Sequence, residues 1–145
     1  MSSYLWCLPV PNKAQQLKAA LPNEYNILSM DADVLPGNAQ SIVHPFLSLV
    51  VNLNVATLAH RDRNDKTICV VLVLGDHVGG DLCLYEAGLV IPLKTGDFVA
   101  FPSARLTHFN LHFTGQCASI VLHTDREIEA WTNGHRNGWV ENEHF

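Results

Sequence analysis

From Ser48 the chain alternates with a period of two. Leu49, Val51, Leu53 and Val55 fall on one side of an extended segment, and Val50, Asn52, Asn54 and Ala56 on the other. Short apolar stretches follow, separated by turn-forming residues. Residues 67–74 (TICVVLVL) predict a strand, 75–80 a glycine-rich turn, 81–85 (DLCLY) and 88–93 (GLVIPL) two more strands. The Thr95-Gly96-Asp97 turn leads into a strand at 98–101. Residues 108–113 form another, 114–116 a turn, and 117–123 the last. About seven short strands with turns between them predict a sandwich or small barrel.

Helical signals are confined to the flanks. Residues 13–21 (KAQQLKAAL) are good helix formers and stop before Pro22. Residues 22–47 carry Pro, Gly and Asn at intervals, which predicts an irregular wrapping segment. Residues 126–131 predict a terminal helix, and 132–145 a polar tail. The expected organisation is one domain over 1–145. It comprises an N-terminal helix and wrap (1–47), a β core (48–125), and a C-terminal helix and tail (126–145).

At 145 residues and 48% apolar content, the chain can bury a full core, and disorder is excluded. Charged residues are only 16% against a usual ~25%, which fits a cleft or a self-interface in a homo-oligomer. Net charge is −5, so there is no broad basic footprint for nucleic-acid phosphates. Cys7, Cys69, Cys83 and Cys117 lie singly in apolar surroundings without CxxC spacing and read as buried thiols. Residues 1–11 lack a basic n-region and carry Pro9 and Pro11, a poor signal peptide. The longest apolar run, 68–74, is too short to span a bilayer. These features predict a protein of the cell interior, cytoplasmic or nuclear, with no membrane contact.

Eight histidines in this length direct attention to metal chemistry. His60 and Asp62 lie two residues apart, on one side of an extended segment, and His108 opens a strand 46 residues later. Two imidazoles and a carboxylate on one side of a metal form the facial triad of non-haem Fe(II) oxygenases. The plainer readings are a loop turn at 60–62 and a hydrogen-bonded rim histidine at 108. His112 and His123 compete for the distal position. His44, His77, His135 and His144 stand in loops or tail. If the pleat continues from residue 50 to 62, Asn52, Asn54, His60 and Asp62 share a side. The two amides then face a polar interior able to hold a ligand.

With these residues in place, the chain resembles the Fe(II)- and 2-oxoglutarate-dependent dioxygenases, and among them the fungal branch related to the TET/JBP nucleobase oxygenases. The resemblance runs from about Pro45 to Asp125. It rests on Pro45-Phe46, Asn52-Leu53-Asn54-Val55, His60-Arg61-Asp62, Gly79-Gly80-Asp81-Leu82, Tyr85-Glu86, Gly96-Asp97-Phe98, Thr107-His108-Phe109-Asn110 and Leu122-His123-Thr124-Asp125. It implies a mainly β fold, a double-stranded β-helix (a cupin-like jelly-roll) with one or two short flanking helices. It also implies Fe(II) held by His60, Asp62 and His108, and 2-oxoglutarate as the small-molecule cosubstrate whose oxidation to succinate and carbon dioxide is coupled to substrate hydroxylation.

The family places an Arg-x-Ser on the strand after the distal His, where Arg pairs with the far carboxylate of 2-oxoglutarate. The matching stretch here is Cys117-Ala118-Ser119. Ser119 is kept, but cysteine cannot replace a bidentate Arg–carboxylate contact. Asn54, Tyr85, Arg105, Cys117 and Ser119 are therefore the expected cosubstrate-side residues, with Arg105 reaching in from a loop and Tyr85 donating a hydrogen bond. Arg61, Arg63, Lys66 and Arg105 are expected to form a small basic rim, the local feature that would serve a nucleobase substrate. Two other functions compete: a cupin-like metalloenzyme that does not use 2-oxoglutarate, and a degenerate β-helix acting as a binding module.

Overall fold

The computed structural model describes residues 10–35 and 39–134; the side chains described begin at Lys13. Two helices, α1 (Val10–Ala20) and α2 (Pro22–Ala32), precede seven strands, β1 (Ser48–Leu53), β2 (Cys69–Gly79), β3 (Leu82–Leu84), β4 (Leu89–Ile91), β5 (Phe98–Phe101), β6 (His108–Asn110) and β7 (Phe113–His123). A short helix, α3 (Glu127–Asn133), follows. The strands form a four-stranded sheet of order β1-β7-β2-β5 and a three-stranded sheet of order β4-β3-β6. Every pairing is antiparallel. The two sheets pack face to face, a double-stranded β-helix with short flanking helices, as the sequence leads one to expect.

The uninterrupted apolar run 68–74 is explained by β2, which is covered on both sides. Cys69 and Val73 face the other sheet and pack with Leu82, Leu84, Val99 and Phe101. Val70, between them, faces outward and joins Phe98, Ile68 and Phe46 under Leu17 of α1 and Leu28 of α2. The helices are thus a lid on the outer face of the larger sheet, and β2 is the wall between two cores.

Three expectations are corrected. Residues 22–47 do not merely wrap: α2 starts at Pro22, because proline in a first helical turn lacks only an N–H that has no partner there. The same tolerance lets α1 begin at Val10, ahead of Pro11. The break expected at 75–80 comes only at Gly80: residues 75–79 and 114–116 are the far half of one long ladder, in which Gly75 pairs with Cys117, His77 with Gly115 and Gly79 with Phe113. Glycine here marks close backbone approach, not a turn. A Cβ on Gly75 would sit 2.2 Å from the Gln116 carbonyl oxygen, and one on Gly115 2.3 Å from that of Asp76, with φ at +106° and +92°. Residues 135–145 of the expected tail lie outside the described residues. No described helix is long and apolar enough to cross a membrane.

Gly115→Ala therefore forces the ladder apart, and we expect it to cost about 2–4 kcal/mol in urea unfolding. Gly88, also at positive φ (+62°) but with open space around it, is the control. Gly88→Ala carries only backbone strain and should cost about 1 kcal/mol. Equal costs at the two positions would contradict the close-approach reading.

Candidate metal centre

His60 lies outside the named strands, yet it forms an antiparallel bridge with His108, the first residue of β6. Each backbone N–H donates to the other residue's carbonyl, at 3.1 Å for His60 and 2.9 Å for His108. Directly paired residues project their side chains from the same face of a sheet. The imidazoles consequently meet, with ring centroids 4.3 Å apart. Asp62, two residues on, keeps the parity of His60. Its Oδ1 lies 3.7 Å from His60 Nε2 and its Oδ2 3.3 Å from His108 Nε2. Ligand atoms of all three residues fall within 4.8 Å of one another.

Both imidazoles are oriented in the same way. His60 Nδ1 lies 2.6 Å from the Leu58 carbonyl oxygen and His108 Nδ1 3.0 Å from that of Leu106. A carbonyl can only accept, so in each neutral ring the proton sits on Nδ1 and the Nε2 lone pair faces the shared space. Phe101 packs edge-on against His108, at 4.9 Å between centroids. His108 is buried; His60 and Asp62 are about 40% exposed, which leaves the site open on their side.

The segment carrying His60 and Asp62 is strapped along its length. The Asp62 N–H donates to the Ser103 carbonyl at 3.2 Å and the Asp65 N–H to the Asp62 carbonyl at 2.9 Å. Asp65 then bridges to Asp125, and the Lys66 N–H donates to the Thr124 carbonyl. Asp65 is buried, accepts from Ser103 Oγ at 2.5 Å and lies 3.1 Å from His123 Nδ1. Burial pushes its pKa up against the pull of these two partners. Cys69 lies nearby, and burial above all pushes its thiol up to about 12, so it is a neutral wall and not a thiolate ligand.

On the outside, Glu86 ties the two ligand-bearing segments together. Its Oε1 accepts from Arg61 Nη2 at 2.5 Å and from Thr107 Oγ1 at 2.6 Å, and its Oε2 from the Thr107 N–H at 2.6 Å. Arg61 stands between His60 and Asp62, and Thr107 immediately precedes His108. The Thr107 hydroxyl, then Arg61, hold the Glu86 carboxyl at about 2, well below its ordinary 4.5.

A cavity of about 340 Å3 opens from the triad. Cys117 and Ser119 of β7 line it, as does Asn52, whose Nδ2 donates to Ser119 Oγ at 3.3 Å. Asn54 does not. It has φ +52°, ends the β1 pleat, and uses its own N–H and Oδ1 on the Cys117 backbone. The expected common side for residues 52, 54, 60 and 62 therefore fails at 54, and Val55 and Thr57 take up the wall instead. Tyr85 is 74% exposed and away from the cavity. Arg105 lines a second cavity, beside Leu17 of α1 and Glu24 of α2.

Of the expected basic rim, Arg61 is held by Glu86, Lys66 Nζ lies 2.9 Å from Asp31, and Arg105 borders the second cavity, while Arg63 is exposed and outside the cavity lining. Of the competing histidines, His112 is exposed and outside the cavity, and His123 lines it as the partner of Asp65. Cys69 and Cys83 are buried and Cys117 partly so, all as free thiols, while Cys7 lies outside the described residues. Sequence reasoning missed Asn110, which shares the parity of His108, lines the cavity, and accepts from the Thr57 N–H at 2.6 Å and from Thr57 Oγ1 at 2.7 Å.

No protein-family model matches the chain, and no curated protein matches it in sequence. Among solved structures it is similar to NgTET1 in complex with 5mC DNA, with a TM-score of 0.67 and 15% identity over 88% of this chain and 55% of that one. The chain thus spans about half the length of that structure. The likeness is one of fold, and the shared fold is the double-stranded β-helix.

Glu86→Gln keeps the shape of the clamp and removes its charge. We expect it to weaken divalent-metal affinity by about tenfold, with an unchanged circular dichroism spectrum. Because the folded carboxyl titrates lower than the unfolded one, the clamp stabilises the fold fully above pH 4.5 and loses that contribution as pH falls toward about 2. The stability difference between wild type and variant should shrink over that range. A difference independent of pH would contradict the clamp.

Proposed function

We propose that this protein is a non-haem Fe(II)-dependent dioxygenase that takes a 2-oxo acid as cosubstrate, with His60, Asp62 and His108 as the metal ligands. The observation that carries the reading is the convergence of two imidazoles and one carboxylate on a single space. Two lone pairs and a carboxylate converge within 4.8 Å, each ring already fixed by a backbone carbonyl. A donor set of two imidazoles and one carboxylate suits Fe(II). The motif order that resembles the TET/JBP-like branch, and the likeness of fold to NgTET1, support the same reading.

Bound iron would supply redox chemistry with molecular oxygen and coordination positions for the reactants. The chain's own part is to hold and to enclose. His108 is fixed from behind by Phe101 and the Leu106 carbonyl, Asp62 by the Ser103 and Asp65 backbone, and the aliphatic residues Val71, Val73 and Val121 keep one wall dry. The near, 2-oxo acid end of 2-oxoglutarate asks nothing of the protein beyond the metal. Its far carboxylate is another matter: no Lys or Arg is among the described residues that line the cavity. The residues present do not fit that group.

The neighbour NgTET1 is in complex with 5mC DNA. For this chain a net charge of −5, together with the dispersal of Arg61, Lys66 and Arg105, weighs against a nucleobase in DNA as substrate.

Anaerobic titration with Fe(II), read by iron retained after desalting, tests the site. Wild type should retain iron stoichiometrically, and His108→Ala should lose affinity by about a hundredfold, as expected when one of three ligands is removed. Retention unchanged in His108→Ala, or no retention by wild type, would overturn the reading and favour a binding module.

A further inference from the structure

The charge of the cavity wall narrows the cosubstrate class. No Lys or Arg is among the described residues that line the cavity. Arg61 is bound to Glu86, Lys66 to Asp31, Arg126 donates through Nε to the Asp65 carbonyl, and Arg105 borders the other cavity. The lining instead carries two carboxylates, Asp62 and Asp65, and the one imidazole outside the triad, His123, lies against Asp65. A second carboxylate on a ligand would be desolvated against this lining with no Lys or Arg of the described residues facing it. An uncharged tail meets a suitable wall: Val50, Val71, Val73, Leu82, Leu93 and Val121 line the cavity, and Asn52 and Ser119 already bond to each other. The volume of about 340 Å3 is at the small end for a small-molecule site.

We propose that the cosubstrate is a monocarboxylic 2-oxo acid with a short aliphatic tail, and that 2-oxoglutarate is discriminated against. This rests on the metal site proposed above. The single carboxylate and the 2-oxo group face the metal position, and the tail lies along the valine and leucine wall where a dicarboxylate would need an arginine. Cys117 is the specificity-determining residue, a half-buried neutral side chain on the cavity wall in place of a cation.

The test is anaerobic titration of the Fe(II)-loaded full chain with 2-oxopentanoate and with 2-oxoglutarate, which share a carbon skeleton and differ in the far carboxylate. Chelation is read as a visible charge-transfer band. We expect 2-oxopentanoate to bind at least about tenfold more tightly, and Cys117→Arg to reverse the order. Equal or tighter binding of 2-oxoglutarate by wild type overturns the proposal. Retained iron with no band from either acid overturns this proposal and leaves the metal site standing. No retained iron overturns both.

Discussion

The backbone pair between His60 and His108 is the constraint on which the site depends. Two reciprocal hydrogen bonds place those residues directly opposite each other, and the geometry of an antiparallel pair then leaves their imidazoles on one face. Asp62 follows by parity alone. What remains is to stop the rings from turning, and the chain does this identically at both positions, with a carbonyl two residues upstream accepting from Nδ1. The donor atoms of all three side chains thereby face one shared space, within 4.8 Å of one another.

Around this pair the fold supplies supports of different chemistry on different sides. Glu86 joins Arg61 to Thr107 outside, in solvent, where the contact depends on charge. Ser103 and Asp65 hold the opposite flank through buried hydrogen bonds. β2 separates the cavity from the helical lid, because its residues alternate between the two. The cavity inherits an aliphatic wall from β2 and β7 and carboxylates from the strapped segment. That combination is the basis of the proposed metal site and of the proposed preference for a neutral tail.

Much of this was legible in the sequence, for physical reasons that can be named. The succession of short strands could be anticipated because period two marks extended chain, and parity puts His60 and Asp62 on one side, while His108 joins them through the backbone bridge. Parity fails wherever a residue leaves the β region. Asn54 does so, and its side chain turns to the Cys117 backbone while Val55 and Thr57 reach the wall. Glycine was misleading at 75–79 and 114–116, since close approach of paired backbones and a turn have the same composition. Pro22 follows the end of α1 as the sequence led one to expect, but it also opens α2, where an irregular wrap was expected. Glu86 and Ser103 were beyond reach, because their roles rest on contacts between segments distant in sequence. Arg105 was expected near the site from its closeness to His108 in sequence, and the turn at 102–106 carries it to the other side of the sheet.

The central claim is that three side chains share one ion. Anomalous diffraction from crystals grown anaerobically with Fe(II) tests it without recourse to turnover. The account predicts a single strong peak at bonding distance, roughly 2.0–2.2 Å, from Nε2 of His60, Nε2 of His108 and a carboxylate oxygen of Asp62. An iron peak at other residues, or imidazoles of 60 and 108 that bind through Nδ1 after breaking from the Leu58 and Leu106 carbonyls, would contradict it.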